Sequence, residues 1–302
     1  MKHIAFIFFL FGVSKAYTQT DTTLVRKHLI ALTSTPQPRN YIHINSLNQA
    51  ADYIKAELKK YADEVTEQTY EVNGKTYRNI ICAFDTAHAE RIIVGAHYDV
   101  CEEQPGADDN ASGVTGLLEL ARQLKNKKLN YRIDLVAYTL EEPPFFRTPN
   151  MGSYVHAKSL KDKNIKVKGM ISLEMIGYFN DAKNSQKYPL GFLKLFYGNK
   201  GNFITVVQKL NNKTFGRKFK RKMKQGATIR TKSIKAPKFL TGIDFSDHLN
   251  YWLFGYSALM ITDTSFYRNF NYHHAGDTVN RLDINRMSKV IDSVYQTLLN
   301  FK

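Results

Sequence analysis

Acidic and imidazole side chains follow short apolar runs at several points of this chain. Residues 92–95 have the pattern of a buried strand, and His97 and Asp99 come just after them. Because side chains two residues apart lie on the same face of a strand, these two can point toward one site. Asp108 and Asp109 follow in the loop sequence PGADDNASG, before a segment with helical spacing. Loops at the carboxyl ends of strands are where open α/β sheets place their functional sites.

Two more apolar runs end in acid, and a later loop carries histidines. IDLVAYTLEEP places Glu141 and Glu142 after a strand pattern, and GMISLEMIGY does the same for Glu174. NYHHAGDT contains His273 and His274. Carboxylate oxygens and imidazole nitrogens are ligands of catalytic zinc, and with only two Cys in the chain we expect no thiolate alternative. The pattern therefore indicates a hydrolytic metal site.

A simpler interpretation exists for each of these residues taken alone. A single His after a strand is commonly a hydrogen-bonded core or surface residue, and a Glu-Glu pair is usually solvated. The acids here follow apolar runs directly, where burying a carboxylate without compensation costs several kcal/mol or forces protonation. Cations bound among them would remove that cost, which favours the metal interpretation.

Five motifs occur in order between Ile80 and Thr278, namely HYD, PGADDNASG, TLEEP, LEMIG and YHxxxDT. Together they resemble the secreted bacterial leucyl aminopeptidase family of two-zinc exopeptidases. That family also includes glutamate carboxypeptidase II, the one-zinc glutaminyl cyclases and the catalytically inactive transferrin receptor ectodomain. The resemblance implies an α/β fold, a three-layer α/β/α sandwich with a mixed, mainly parallel central sheet.

The resemblance also implies a set of metal ligands. One zinc ion would be held by His97, Asp108 and Glu174, and a second by Asp108, Glu142 and His273. Asp108 would then bridge the two ions, which a carboxylate with two oxygens can do.

The choice between the adjacent histidines of NYHHAGDT rests on spacing. The family pattern has a His, three residues and then Asp-Thr, and only His273 stands at that distance from Asp277. His274 is therefore expected to be a neighbour of the site and not a ligand.

Further roles follow from the same resemblance. Glu141 matches the general base that takes a proton from the attacking water and passes it to the leaving amine. Asp99 matches an acid that orients the ligand His, and Asp247 is a candidate for the same role at His273. Tyr272 either hydrogen-bonds the developing oxyanion, as in some relatives, or packs beside the site.

The stretch EEPPFFRTPNMGS is more aromatic than the Gly-rich sequence usual at this point of the family. Two interpretations of Phe145 and Phe146 stay open: they line a substrate pocket, or they wedge the loop against the core.

Three functions compete at this stage. The first is a two-zinc aminopeptidase whose substrates are peptides with a free amino terminus. The second is a glutaminyl cyclase, although cyclases show Asp-Ser where this chain has Asp108-Asp109-Asn110. The third is a non-catalytic binding ectodomain, but relatives of that kind lose ligands that this chain keeps, so retention favours an enzyme.

The order of elements agrees with the implied fold. Asn73-Gly74 is a strong signal for a two-residue hairpin, and Ser46 is a candidate N-cap for a following helix. Beyond the hairpin, strand and helix patterns alternate, which predicts a mainly parallel sheet covered on both faces. We expect residues 17–302 to form a single catalytic domain.

The amino terminus has the features of a secretory signal. Lys2, a short apolar run and a Ser14-x-Ala16 pattern predict cleavage near Ala16, so residues 1–16 would be a signal peptide and the mature protein periplasmic or secreted. No later stretch has the pattern of a transmembrane helix. In that compartment Cys82 and Cys101 either form a disulfide or remain free thiols.

The chain is basic, with a formal net charge of +16. No zinc-finger spacing, helix-turn-helix pattern or RNA-binding signature accompanies the charge, so we expect no nucleic-acid partner. Much of the charge lies in residues 213–224, where Lys and Arg alternate with Phe215 and Phe219. A solvated helix face is the favoured interpretation, and attraction to anionic surfaces or acidic peptides is the alternative.

Overall fold

A computed structural model describes residues 19–210, 214–226 and 228–302. The predicted signal peptide, residues 1–16, and Lys213 of the basic segment lie outside the described residues.

The described residues contain one sheet of eight strands, in the order β1-β2-β4-β3-β5-β8-β6-β7. The strands are β1 (Glu64–Val72), β2 (Lys75–Phe84), β3 (Arg91–His97), β4 (Arg132–Tyr138), β5 (Val167–Glu174), β6 (Ile204–Lys209), β7 (Thr231–Ala236) and β8 (Ala258–Thr262). β4, β3, β5 and β8 are parallel to one another, as are β6 and β7. The β1/β2, β2/β4 and β6/β8 pairs are antiparallel. The prediction of a mixed, mainly parallel sheet is confirmed.

Helices cover both faces of this sheet. They are α1 (Thr22–Thr33), α2 (Ile44–Leu58), α3 (Gly113–Leu124), α4 (Gly152–Asp162), α5 (Leu193–Tyr197), α6 (Thr214–Gln225), α7 (His248–Leu253) and α8 (Ile284–Leu299). α1, α2, α3, α6 and α8 share one apolar cluster with one face, and α4 and α7 pack on the other. This is the predicted three-layer α/β/α arrangement.

Local signals in the sequence had different outcomes. The hairpin is confirmed, because Asn73 and Gly74 both have positive φ, 51° and 73°, and connect β1 to β2. The N-cap prediction for Ser46 is wrong, because α2 already begins at Ile44. The Ser46 hydroxyl instead accepts a hydrogen bond from the backbone N–H of Gln37 at 3.1 Å, so it holds the preceding linker.

A buried arginine fastens the linker between α1 and α2 to the loop after β3. Arg39 is 1% exposed, and its guanidinium donates to the carbonyls of Leu32, Tyr98 and Gly106 at 3.2, 2.8 and 2.6 Å. It also donates to the carbonyl of Pro105. Because these carbonyls are buried, this one side chain satisfies groups that would otherwise lack partners.

α6 carries most of the basic segment. Phe215, Phe219 and Met223 are buried on its inner side, and both phenylalanine rings lie against Phe301. Its Lys and Arg side chains are on the other side, which is the arrangement expected of a solvated helix face. Among the described residues we find no helix with the length and apolar character needed to cross a membrane.

Candidate metal centre

The parallel strands bring the candidate ligands to one edge of the sheet. β3 ends at His97 and β5 ends at Glu174, while Glu141 and Glu142 follow β4 after the two residues Thr139 and Leu140. Carboxyl ends of neighbouring parallel strands lie side by side, so these four side chains meet although they are far apart in the sequence.

Two groups of potential ligands are present at this edge. In the first, His97 Nε2 lies 3.3 Å from Asp109 Oδ1 and 3.4 Å from Glu174 Oε2. In the second, His273 Nε2 lies 3.2 Å from both Asp109 Oδ2 and Glu142 Oε2. Asp109 therefore offers one carboxylate oxygen to each group, which is the geometry of a bridging ligand.

The prediction that Asp108 occupies this bridging position is wrong as to placement. The Asp108 carboxylate is turned away from the histidines: Oδ1 accepts from the backbone N–H of Gly177 at 3.0 Å, and Oδ2 accepts from Asn269 Nδ2 at 3.0 Å. Asp108 thus ties the loop to the segment after β5. The other sequence candidates, His97, Glu142, Glu174 and His273, are brought together as expected.

The loop around Asp109 is held in place by the C-terminal DT motif. The Asp277 carboxylate accepts from the backbone N–H groups of Asp108 and Asp109 at 2.9 to 3.1 Å. On the other side, Asn110 Nδ2 donates to the carbonyl of Leu173 at 2.9 Å, and Asn110 Oδ1 accepts from the N–H of Met175 at 3.0 Å. The orientation of Asp109 is therefore set by the C-terminal loop on one side and by the end of β5 on the other.

Asp99 connects the histidine of β3 with the glutamates after β4. Its two carboxylate oxygens accept from the backbone N–H groups of Glu141 and Glu142 at 3.2 and 3.1 Å. His97 Nδ1 lies 3.2 Å from the Asp99 carbonyl and 3.6 Å from its carboxylate. Asp99 therefore holds the backbone of both glutamates and lies beside the ring that it was predicted to orient.

Glu174 is supported from the far side by a serine pair. The Ser246 hydroxyl donates to Glu174 Oε2 at 2.7 Å and lies 2.7 Å from the hydroxyl of Ser172. Asp247 follows Ser246 and is buried, and burial raises the pKa of its carboxyl to about 7 although the nearby His97 opposes the rise. The ion pairs described for His273 involve Asp109 and Glu142, so the role of Asp247 at that ring stays a prediction.

Several buried acids lie close together at this centre, and their burial shifts the pKa values of their carboxyl groups. Burial raises the pKa of Glu142 to about 7, and burial also raises the pKa of Glu174 and holds that of Glu141 well above its ordinary value. For Asp109 burial acts in the same direction, but the imidazoles of His273 and His97 hold its pKa below the usual range. Without a cation these acids compete for the few available positive partners.

The donor set fits divalent metal ions. Asp109 Oδ2, Glu142 Oε1 and His273 Nε2 are buried and have no well-directed hydrogen bond among the described residues. Such atoms are costly to leave unpaired, and oxygen and nitrogen ligands in groups of three are what catalytic zinc uses. The two groups, His97 with Glu174 and His273 with Glu142, are joined by Asp109.

Tyr272 and the two histidines after it differ sharply in position. The Tyr272 ring stacks on the His273 ring, with centroids 3.7 Å apart and an interplanar angle of 23°. His274 is exposed, in agreement with the choice of His273 from spacing. His273 has a positive φ of 58°, a strained conformation for a residue with a side chain, which turns it toward the acids.

A cavity of about 350 Å³ opens directly beside the acids. Asp109, Glu141, Glu142, Glu174 and His273 form one end of it. The remaining wall is mainly apolar and aromatic and includes Phe146, Phe203, Val207, Ile234, Phe245, Met260, Phe266 and Tyr272. Apolar walls with a few convergent polar groups are typical of small-ligand sites.

The two phenylalanines left open by the sequence have separate places. Phe146 lines the cavity and meets the Phe245 ring edge to face at 5.8 Å. Phe145 is 7% exposed and packs into the core against Tyr41, with ring centroids 5.3 Å apart. One residue therefore borders the pocket while its neighbour wedges the loop.

Sequence reasoning missed two features of the centre. Asp109 was indistinguishable from Asp108 without knowing which of two consecutive side chains faces inward. Cys101 was set aside, yet its sulfur lies within 4.8 Å of ligand atoms of Glu142 and His273. Both cysteines are free, which decides between the two alternatives for Cys82 and Cys101.

A mixed α/β sandwich with paired imidazole and carboxylate groups at the carboxyl edge of its parallel strands defines the class of zinc exopeptidases. The chain belongs to Peptidase family M28, whose sequence model matches residues 79–298, and zinc dependence is the norm in that family.

Similar proteins agree on the fold and differ in activity. The chain is 45% identical to the uncharacterized protein YfbL of Escherichia coli over 279 residues, covering 90% of this chain and 85% of that one. The LapA aminopeptidase of Legionella pneumophila superposes with a TM-score of 0.71 at 17% identity, covering 94% of this chain and 73% of LapA. A glutaminyl cyclase of Bacteroides thetaiotaomicron superposes with a TM-score of 0.69 at 19% identity, covering 95% and 100%. At these identities the superpositions establish the fold alone.

Proposed function

We propose that this peptidase is a two-zinc aminopeptidase that removes the amino-terminal residue from peptides. The observation that carries the proposal is the position of Asp109, whose two oxygens face two separate histidine-carboxylate groups at 3.2 to 3.3 Å. A carboxylate whose two oxygens face separate ligand groups can bridge a pair of ions. A single ion would require only one of those oxygens.

Each ion would have three protein ligands. His97, Asp109 and Glu174 would hold one, and Asp109, Glu142 and His273 the other. When bound, zinc supplies Lewis acidity that activates water near neutral pH and polarises the peptide carbonyl.

Glu141 is the proposed general base. It is buried at the end of the cavity, with its Oε2 3.9 Å from His97 Nε2. Because burial raises the pKa of this carboxyl, the group is suited to accept a proton from the attacking water and return it to the leaving amine nitrogen. Asp99 holds the Glu141 backbone, so it positions the base without touching substrate.

Tyr272 and the apolar cavity complete the proposed substrate site. The stacked Tyr272 ring lines the cavity beside His273, where its hydroxyl is available to the oxyanion that forms at the scissile carbonyl. The cavity wall would take the first side chain of the peptide, and the acids around Asp109 would attract the free amino terminus. The mature enzyme, residues 17–302, would act as one exported domain after loss of residues 1–16.

A glutaminyl cyclase is the second candidate, supported by the likeness of fold to the Bacteroides thetaiotaomicron enzyme. One-zinc cyclisation needs only one of the two ligand groups, so the presence of both favours hydrolysis. The same complete set disfavours a non-catalytic ectodomain.

The test compares Glu141→Gln with Glu142→Gln on a panel of aminoacyl-anilides and an amino-terminal Gln peptide, with zinc content measured for each protein. Glu141→Gln should keep its zinc and lose about 10²–10⁴-fold in kcat. Glu142→Gln, the matched control one residue away, should lose zinc affinity. A wild type that cyclises the Gln peptide and leaves every anilide intact would replace the proposal with the cyclase, and a wild type that binds no zinc would end it.

A further inference from the structure

The second metal position has a neighbour that peptidase chemistry does not require. Cys101 lies in the turn after β3, is 6% exposed and is a free thiol. Ligand atoms of Cys101, Glu142 and His273 all lie within 4.8 Å of one another. Three atoms at this spacing can reach one ion placed between them, because zinc binds sulfur at about 2.3 Å and nitrogen or oxygen at about 2.0–2.2 Å.

We propose that Cys101 Sγ is a ligand of the ion held by Glu142 and His273, so that the two metal positions have unlike donor sets. This inference rests on the proposed two-zinc function. On binding, the thiol would lose its proton to solvent as the sulfur–metal bond forms.

Two further observations point the same way. Glu142 is 4% exposed, and its Oε1 has no hydrogen-bond partner among the described residues, so it is free to turn toward an ion between it and the sulfur. The Cys101 thiol also contacts the His273 side chain, which places the sulfur beside the histidine that would hold the same ion.

Unlike donor sets predict that the two positions bind zinc with unlike affinity. The first position, with His97, Asp109 and Glu174, has only nitrogen and oxygen donors, which accept several divalent metals. A thiolate is a soft ligand that favours zinc. When cobalt replaces zinc, a bound thiolate would produce a charge-transfer absorption band. The sulfur-containing position should therefore fill first and exchange last when zinc is limiting.

An alternative role for Cys101 is to steady His273 by a hydrogen bond without touching the metal. A group that only orients a ligand typically changes metal affinity by 10–100-fold when it is removed, but it produces no sulfur–metal bond. Spectroscopy of the metal therefore distinguishes the two roles where affinity alone does not.

The experiment uses wild type, Cys101→Ala and Cys82→Ala, each loaded with cobalt or zinc after removal of metal. Cys82 is the matched control, because it is the other buried thiol and lies in the core on β2. Wild type and Cys82→Ala should show near-ultraviolet thiolate-to-cobalt absorption from the first equivalent of cobalt, and Cys101→Ala should lack this absorption. In Cys101→Ala the zinc affinity of one of the two positions should also fall by more than about 100-fold.

X-ray absorption at the zinc edge of the wild type gives a readout that needs no variant to fold. A zinc–sulfur distance near 2.3 Å supports the inference. Zinc bound with full anilide activity but with only nitrogen and oxygen neighbours overturns the inference and leaves the aminopeptidase proposal standing. Absence of bound zinc overturns both.

Discussion

The same substitution at two adjacent aspartates, Asp108 and Asp109, gives the sharpest test of the bridging geometry. Asp109→Asn replaces the shared carboxylate by a neutral amide with a single oxygen, which weakens both groups, whereas Asp108→Asn changes a side chain that meets neither. The two variants are isosteric with the wild type and neighbours in one loop. Differences in zinc binding between them therefore report on orientation and not on general damage.

The expected magnitudes follow from linkage. Zinc at about a hundred times its dissociation constant adds about 2.7 kcal/mol to the free energy of unfolding for each ion. Loss of the shared ligand should weaken binding by more than the 10–100-fold typical of an orienting group, which reduces that increment to about 0.4 kcal/mol or less. Because Asp109 would hold both ions of the proposed pair, Asp109→Asn should lose about 5 kcal/mol of zinc-dependent stability.

Asp108→Asn should behave differently in kind. The new amide still accepts from the N–H of Gly177, but it opposes its own NH₂ group to that of Asn269. An unsatisfied buried donor costs about 1–3 kcal/mol, and this cost should be equal with zinc and with chelator.

The assay is urea unfolding of both variants and the wild type, with zinc and with chelator, together with metal analysis. A zinc-dependent increment that survives in Asp109→Asn and disappears in Asp108→Asn would refute the orientation described here.

The remaining predictions concern the pocket wall, the buried arginine and a buried histidine. Phe146→Ala should raise KM for substrates with a large apolar first residue and leave stability nearly unchanged, whereas Phe145→Ala should lower the free energy of unfolding by about 3–5 kcal/mol, as urea titrations and anilide kinetics would show. Arg39→Met should lower the free energy of unfolding by at least about 3 kcal/mol, because each buried carbonyl left without a donor costs about 1–3 kcal/mol. Arg39→Lys should restore little of that loss, since the lysine ammonium lacks the planar fork of the guanidinium. A loss under about 1 kcal/mol in Arg39→Met would contradict the role given to this side chain. Burial lowers the pKa of His156 from 6.5 to about 4 while its Nδ1 lies 2.6 Å from the Tyr251 hydroxyl. The contribution of the neutral ring to the free energy of unfolding is therefore complete above pH 6.5 and decreases as the pH falls to 4. The free energy of unfolding, measured in chelator, should fall between pH 7 and pH 4 in the wild type. In His156→Gln that fall should be smaller by up to about 3 kcal/mol.

The general plan of the centre was predictable because its parts follow simple rules. Strands ending in acid, such as the one before Glu174, must bring that acid to the edge where neighbouring parallel strands end. The family's spacing from Asp277 led to the choice of His273, and the ring of that residue lies against Asp109 and Glu142. The layered fold followed from alternation of strand and helix patterns after an unmistakable Asn73-Gly74 hairpin.

What escaped prediction depends on local backbone direction. Consecutive side chains in a loop point different ways. The backbone N–H groups of this loop donate to the carboxylate of Asp277, a residue far along the chain, and these hydrogen bonds help to decide which aspartate faces inward. Cys101 was missed for a related reason, since a single thiol has no spacing pattern. Its closeness to His273 exists only after the loop and the C-terminal motif are folded together.

The clamp of Asp277 on the Asp109 loop makes the order of synthesis matter. His273 and Asp277 are translated long after Arg39, which secures the start of the same loop. A nascent polypeptide therefore cannot assemble the complete cluster until Asp277 has left the ribosome. A polypeptide shortened before these residues would lack the second histidine and the support of the shared carboxylate together.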